Sequence, residues 1–301
     1  MLQTVHCGNL CNCIRLLESA RQAVCHGNAV QEHPAWQVLL IDLRSHGDSS
    51  APDAASSTSS VDTAAIDVLQ LLRHLRLFPH MLVGHSFGGK VVLSMVEQFG
   101  RNLPRPISAW VLDTVPGIVN AGVVRQGQVS DHPRQLIQAL LRMPTPLPSR
   151  QAAVEALQAA GFSDSVAKWV STNLKPARAP TSPAQAHSNG SDGQFNWGFD
   201  LPSIAEMYDS YEAKSHWDLL ADPPQGLSVH FVRAEHSNFR WQGGDADKIE
   251  QLGHQVHLLQ NAGHWVHTDN PQGLLNIMER GLGHRDDVKH ITRSYQAANG
   301  A

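Results

Sequence analysis

Ser86 stands in "LVGHSFGGKVVL" (Leu82 to Leu93), where an apolar run of strand type passes through glycines into an apolar run of helix type. Two chemistries fit these letters. Gly84-x-Ser86-x-Gly88 matches a nucleophile elbow, a sharp strand-to-helix turn that strains a serine backbone and needs small neighbours. Gly84, Gly89 and Lys90 also match most of a Walker A loop, in which backbone N–H groups and a lysine hold phosphate. The phosphate reading has Val91 where Ser or Thr must ligand magnesium, although Asp113 at the end of "AWVLD" could serve as its second carboxylate. It also leaves "NAGHWVHTDNP" without a purpose. A nucleophilic serine needs a base from later in the chain, and His264 in that stretch follows the last strand-like run and precedes the last helical one. His267 is the lesser candidate.

Such residues must be positioned by a scaffold. "AWQVLLID" (Ala35 to Asp42) is a continuous apolar run of strand length, as expected of a strand buried on both faces, and the polar turn "LRSHGDSS" follows it. Between Val61 and Leu77, apolar residues recur near the helical period at Val61, Ala65, Val68, Leu69, Leu72 and Leu75, with Ser60 as the cap. "MLVGH" (Met81 to His85) reads as a strand, "KVVLSMVEQF" (Lys90 to Phe99) as a helix and "SAWVLD" (Ser108 to Asp113) as a strand. This alternation predicts an α/β fold with a mostly parallel sheet and helices on both faces.

After Pro116 the pattern becomes irregular and mostly helical, with "PRQLIQALLRM" and "RQAAVEALQAAGF" among prolines. The Pro/Ser/Ala/Gly-rich stretch at 176–193 reads as a flexible loop. Strands return at "LSVHFVRAE" (Leu227 to Glu235) and "HQVHLLQ" (His254 to Gln260), before the helix "PQGLLNIMERGL" (Pro271 to Leu282). The expected organisation is therefore a core in two parts, 1–115 and 217–282, around a helical cap insert at 116–216, with a disordered tail at 283–301.

Composition limits the partners. The 301 residues, 42% of them hydrophobic, can bury a sizeable core, and a net charge of -4 gives no electrostatic claim on nucleic acid or an anionic membrane. No apolar run approaches the ~20 residues of a membrane span, and "MLQTVHCGNL" has neither a basic n-region nor a long apolar h-region. The chain reads as soluble and intracellular, either cytoplasmic or, if a targeting segment precedes it, organellar. Cys7, Cys11, Cys13 and Cys25, with His6 and His26 beside two of them, invite a zinc reading, but paired C-x₂-C knuckles are missing and reduced thiols are expected.

Taken together and in this order, "DLRSHGDSS", "LVGHSFGGK", "RAEHSNF" and "NAGHWVHTDNP" resemble the α/β-hydrolase family over Asn9 to Leu282. Within it they resemble the esterase branch that includes bacterial acyl-CoA esterases and the ABHD11-type proteins of eukaryotes. "FNWGFDLPSIAEMYDSYEAKSHWDLL" is similar to the return from cap to core in plant members. The resemblance implies a serine esterase or thioesterase of lipid or acyl metabolism, acting on small-molecule acyl esters or thioesters through an acyl-serine, with no metal or organic cofactor. It leaves the oligomeric state open. Ser86 would attack the acyl carbonyl, His264 would carry the proton, and Phe87 would offer its backbone N–H to the oxyanion. Two acids remain possible: Asp113, in the place this branch resembles more closely and with Ser237 assisting beside the histidine, or Glu235, after the later strand. His85 and Gly84 would shape the turn, while Lys90 would face solvent or pair with an acid. Asp42, Arg44 and Asp48 would satisfy backbone groups in a structural loop.

The start of the chain departs from the family. A central strand ending in an H-G-x-x-G loop normally supplies a second oxyanion donor. Matching Asn12 to a family asparagine puts "TVHCG" (Thr4 to Gly8) in that place, where only Gly8 fits and His6 occupies the donor position. The incoming N-terminal strands are expected to be missing, leaving a gap in the middle of the sheet. The alternative function is therefore a catalytically weak or inactive hydrolase-fold protein that binds a small molecule or partner.

Overall fold

The computed structural model describes residues 13–19, 36–46, 49, 58–99, 108–119, 131–177, 194–237, 241 and 243–281. The first half of the core contains β1 (Cys13–Ser19), β2 (Trp36–Asp42), α1 (Val61–Leu75), β3 (Met81–His85), α2 (Phe87–Gln98) and β4 (Ser108–Leu112). Next come α3 (Pro133–Arg142), α4 (Arg150–Ala159), α5 (Asp164–Ser171), the small hairpin β5 (Leu174–Pro176) and β6 (Phe195–Trp197), and α6 (Leu201–Ala213). The second half supplies α7 (Trp217–Ala221), β7 (Ser228–Ala234), α8 (Asp245–Gln251), β8 (Gln255–Leu259), α9 (Val266–Asp269) and α10 (Pro271–Gly281).

The main sheet has the order β2-β1-β3-β4-β7-β8. β3, β4, β7 and β8 are parallel, and all five residues of both β3 and β4 are buried, which explains their unbroken apolar runs. Alternate side chains go to opposite faces. Leu82, Ala109, Val111, Val229 and Phe231 pack with α1, α2 and α6, whereas Met81, Val83, Trp110, Leu112, Val232 and Ala234 pack with α9 and α10. Ser60 caps α1 with a full capping box to Thr63, and Arg76 ends that helix in a left-handed conformation.

The expected gap in the sheet is filled. β1 lies between β2 and β3, antiparallel to both, with Cys13 opposite Asp42 and Ile14 opposite Gly84. The pairing gives hydrogen-bond partners to the facing edges of β2 and β3, which an empty slot would leave unpaired in the sheet. The mixed run "CIRLLES" carries no clear strand pattern, because Arg15 and Glu18 interrupt its apolar residues. Thr4 to Gly8 with His6, the cysteines Cys7, Cys11 and Cys25, Asp48, residues 178–193 and the tail at 283–301 lie outside the described residues. Arg44 ties its loop to α1, donating to the Asp67 carboxylate at 2.5 and 2.7 Å and to the Thr63 carbonyl at 3.3 Å.

Trp110, His230 and His257, from β4, β7 and β8, form a cluster of nearly parallel rings, with Trp110 and His230 centred 4.1 Å apart. Burial, with the His257 and His254 charges adding to it, pushes the pKa of His230 down to about 4. A histidine held neutral in the fold leaves stability intact above its unfolded value of 6.5 and removes it as pH falls from there through about 4. This one group is worth on the order of 3 kcal/mol between those limits. We expect the melting temperature to fall as pH is lowered from 7 to 4, and His230→Phe, which keeps a stacked ring without the titration, to show a smaller fall. An equal fall in both proteins, followed by circular dichroism, would remove His230 as a source of acid sensitivity.

Candidate active site

Ser86 occupies the single residue between β3 and α2, with φ 52° and ψ -120°. A non-glycine residue in that region is strained by roughly 1–3 kcal/mol, so its surroundings must hold it. Its N–H donates to the Leu112 carbonyl at 3.0 Å, and its own carbonyl accepts from Gly89 N–H at 2.9 Å and from Thr114 Oγ1 at 2.7 Å. The glycines answer to the same turn. A Cβ on Gly84 would stand 2.1 Å from the Gly88 carbonyl oxygen, and one on Gly89 would stand 2.9 Å from Thr114 Oγ1. Phe87 begins α2, where backbone N–H groups have no acceptor within the helix.

Asp113 follows β4 directly, also with a positive φ of 46°, and is fully buried. Its backbone N–H donates to the Val232 carbonyl at 2.7 Å, tying the turn to β7. Its carboxylate accepts the Ala234 N–H at 3.1 Å on Oδ1, and Ser237 Oγ at 2.5 Å and His264 Nδ1 at 2.7 Å on Oδ2. A carboxylate accepts only, so His264 carries its proton on Nδ1 and keeps Nε2 as the basic nitrogen. The loop that carries His264 is fixed by a bond of 2.7 Å between His85 Nε2 and the His264 carbonyl, and the Gly263 N–H donates to Asp269 at 2.8 Å. His85 is thus a framework residue, with its ring 4.6 Å from that of His264 and 5.4 Å from that of His267.

Of the two acids, Asp113 meets His264. Glu235 is 39% exposed and accepts the Asn261 N–H at 2.8 Å, bracing the turn after β8. The expectation for Lys90 is overturned. Its side chain is completely buried, and Nζ donates to the carbonyls of Gly117 at 2.7 Å, Tyr211 at 2.6 Å and Lys214 at 2.6 Å. Burial pushes its pKa down to about 7, with the Glu212 carboxylate opposing and the Lys214 charge adding, while the carbonyl oxygens favour the ammonium form. No donor of this lysine remains for a phosphate at the turn.

Sequence reasoning missed Thr114, whose hydroxyl secures the Ser86 carbonyl, and the pair of Trp169 on α5 with Trp265, centred 4.7 Å apart. Trp265 follows His264 and lies edge-on to it at 5.4 Å, so an aromatic surface adjoins the candidate base. Among the described residues, no group of three or more His, Cys, Asp or Glu is arranged to hold a metal ion. No helix among them is long and apolar enough to cross a membrane.

A sheet of this order, flanked by helices and ending in a strained serine turn after its central strand, has the architecture of the α/β hydrolases. The chain belongs to the alpha/beta hydrolase family, whose match runs over residues 19–277. It is similar to the sn-1-specific diacylglycerol lipase ABHD11 of Mus musculus, with 27% identity in an alignment 271 residues long that covers 83% of this chain and 73% of that protein. It is also similar to protein phosphatase methylesterase 1 of Schizosaccharomyces pombe, with 26% identity over 80% of this chain and 63% of that protein. Among solved structures, a marine microorganism esterase shares the fold with a TM-score of 0.63 and 18% identity, over 84% of this chain and 88% of that one. These relatives are hydrolases of the lipase and esterase type.

The turn itself can be tested without any substrate. Gly84→Ala places a methyl group against backbone that cannot yield cheaply, and we expect a loss of about 3 kcal/mol of stability, read as a large drop in melting temperature. A melt within two degrees or so of the wild type would mean that the turn tolerates a side chain.

Proposed function

We propose that this protein is a serine hydrolase that cleaves carboxylic esters or thioesters through an acyl-serine intermediate. The observation that carries the reading is the bond of 2.7 Å between His264 Nδ1 and the buried Asp113 carboxylate, beside the strained turn at Ser86. In the first half-reaction Ser86 Oγ attacks the acyl carbonyl while His264 Nε2 takes its proton. The negative charge that develops on the carbonyl oxygen is met by the Phe87 N–H, and the imidazolium is stabilised by Asp113. Collapse breaks the bond to the alcohol or thiol, which leaves with the proton from His264. In the second half-reaction water gives its proton to His264 and its oxygen to the acyl carbon, and the carboxylic acid departs as Ser86 regains its proton. Ser237 assists by orienting the carboxylate oxygen that the histidine uses.

The acyl portion is the part recognised by apolar contact. Trp265 and Trp169 supply aromatic surface next to the base, and the helices α3 to α6 act as the cap, an insert at 116–216 in a core formed by 1–115 and 217–282. The insert has its own apolar cluster, with Leu136, Leu140, Val154, Leu157, Phe162, Ala167 and Val170 buried together. That the relatives are a diacylglycerol lipase and a protein phosphatase methylesterase supports a carboxylic ester as the substrate class, and the lipase supports a small-molecule one.

A fluorophosphonate probe is expected to label Ser86, and Ser86→Ala to abolish both labelling and hydrolysis of p-nitrophenyl esters. Unchanged hydrolysis by that variant sinks the mechanism. A wild-type protein that neither labels nor hydrolyses supports the binding-protein alternative instead. Asp113→Asn is expected to lower turnover by about 10⁴-fold, since the histidine loses the partner that fixes its tautomer, whereas Glu235→Gln stays near wild type. The reverse ranking in steady-state kinetics would move the acid to Glu235.

A further inference from the structure

Lys90 lies on α2, the helix that begins directly after Ser86, and its ammonium faces neither solvent nor the site. The carbonyls it holds belong to two crossings of the chain. One crossing, Pro116 to Val119, leaves the core after β4; the other, Tyr211 to His216, returns to it through the last residues of α6 and the three that follow. The crossings pair with each other, Val119 N–H donating to the Glu212 carbonyl and His216 N–H to the Pro116 carbonyl, each at 2.9 Å. Lys90 grips both, taking Gly117 on the outgoing segment and Tyr211 and Lys214 on the returning one, with the Tyr211 ring 4.7 Å from its nitrogen. An ammonium group has three N–H bonds, and all are used.

A buried lysine is a poor choice for stability alone, since an apolar residue of similar volume avoids the desolvation of a charge. What the charge provides is specificity of place. The crossings carry everything between β4 and β7: α6 ends in the returning segment, and α3 is pinned to α6 through Arg134, which binds Glu212 and Asp209. Further along the same insert, α5 brings Trp169 against Trp265 beside His264. Around the returning crossing, Lys214 pairs with Asp62 at 3.0 Å and Glu97 at 3.2 Å, and His216 pairs with Glu97 at 2.8 Å, so α1 and α2 hold its outer side as Lys90 holds its inner side.

We propose that Lys90 is a positioning residue, which clamps both crossings to the helix that starts at Ser86 and so fixes the helical insert over the site. Its effect on turnover rests on the serine-hydrolase reading above; its effect on the crossings does not. Hydrogen exchange of the full chain, read by mass spectrometry, is the direct test. In Lys90→Met the amides of Val119 and His216 are expected to exchange about tenfold or more faster, while those of β3, β4 and β7 keep their protection. Unchanged exchange in the crossings, or an equal rise in every segment, overturns the clamp.

The kinetic readout separates positioning from plain stabilisation. Well below the melting temperature, Lys90→Met is expected to retain hydrolysis of p-nitrophenyl acetate but to lose about tenfold or more in kcat/KM for the octanoate ester, mainly through KM, because only the longer acyl chain reaches the insert. Loss of the same factor for both esters overturns the proposal. Gly117→Ala gives an independent route and decides the matter if Lys90→Met does not fold. A Cβ there would lie 2.7 Å from Trp217 Nε1, which presses the outgoing crossing away from that ring while the lysine stays, and the same local exchange and ester selectivity are expected. If the wild type hydrolyses no ester, the hydrolase reading fails and exchange alone decides the clamp.

Discussion

The site depends on a backbone that would not adopt its conformation unaided. Two adjacent parallel strands, β3 and β4, end in residues with positive φ, Ser86 and Asp113, and the turns are bonded to each other through the Ser86 N–H to Leu112 and the Thr114 hydroxyl to Ser86. Strand pairing sets their relative height, since His85 lies opposite Leu112 in the ladder. Ser86 and Asp113 are therefore registered by main-chain hydrogen bonds, to which the Thr114 hydroxyl adds one. The strain is borne by β3 and β4, which are fully buried and cannot relax locally.

The second requirement is electrostatic. A carboxylate at zero exposure must be compensated by donors, and Asp113 takes one from the backbone of β7, one from Ser237 and one from His264. These donors come from segments more than a hundred residues downstream, so the carboxylate joins the halves of the core on either side of the insert. The bond from His85 to the His264 carbonyl closes the arrangement, because the residue before Ser86 fixes the loop of His264.

Much of this was legible in the sequence. Continuous apolar runs in "MLVGH" and "SAWVLD" mark strands buried on both faces, and the order of Ser86, Asp113 and His264 follows from where such strands end. The choice between Asp113 and Glu235 could not come from their letters, since each follows a strand; in the structure Asp113 lies against His264 Nδ1 while Glu235 accepts from Asn261. Lys90 was misread because lysine is almost always a surface residue and its partners are carbonyls, which leave no mark in the side-chain sequence. β1 was missed because its pairing is decided by β2 and β3, and "CIRLLES" alone carries no period that requires a strand.

The grip of Lys90 on main-chain oxygens has an evolutionary consequence. A clamp that reads carbonyls is blind to the side chains of the segments it holds, apart from Gly117, where Trp217 leaves no space for a methyl group. Mutations can accumulate in the crossings without loosening them, except at Glu212, Lys214 and His216, whose side chains make ion pairs of their own. The insert also packs much of its apolar surface against itself, which lets it behave as an exchangeable cassette. Descendants of such a chain can trade or remodel the cassette while the registered Ser86, Asp113 and His264 are inherited unchanged.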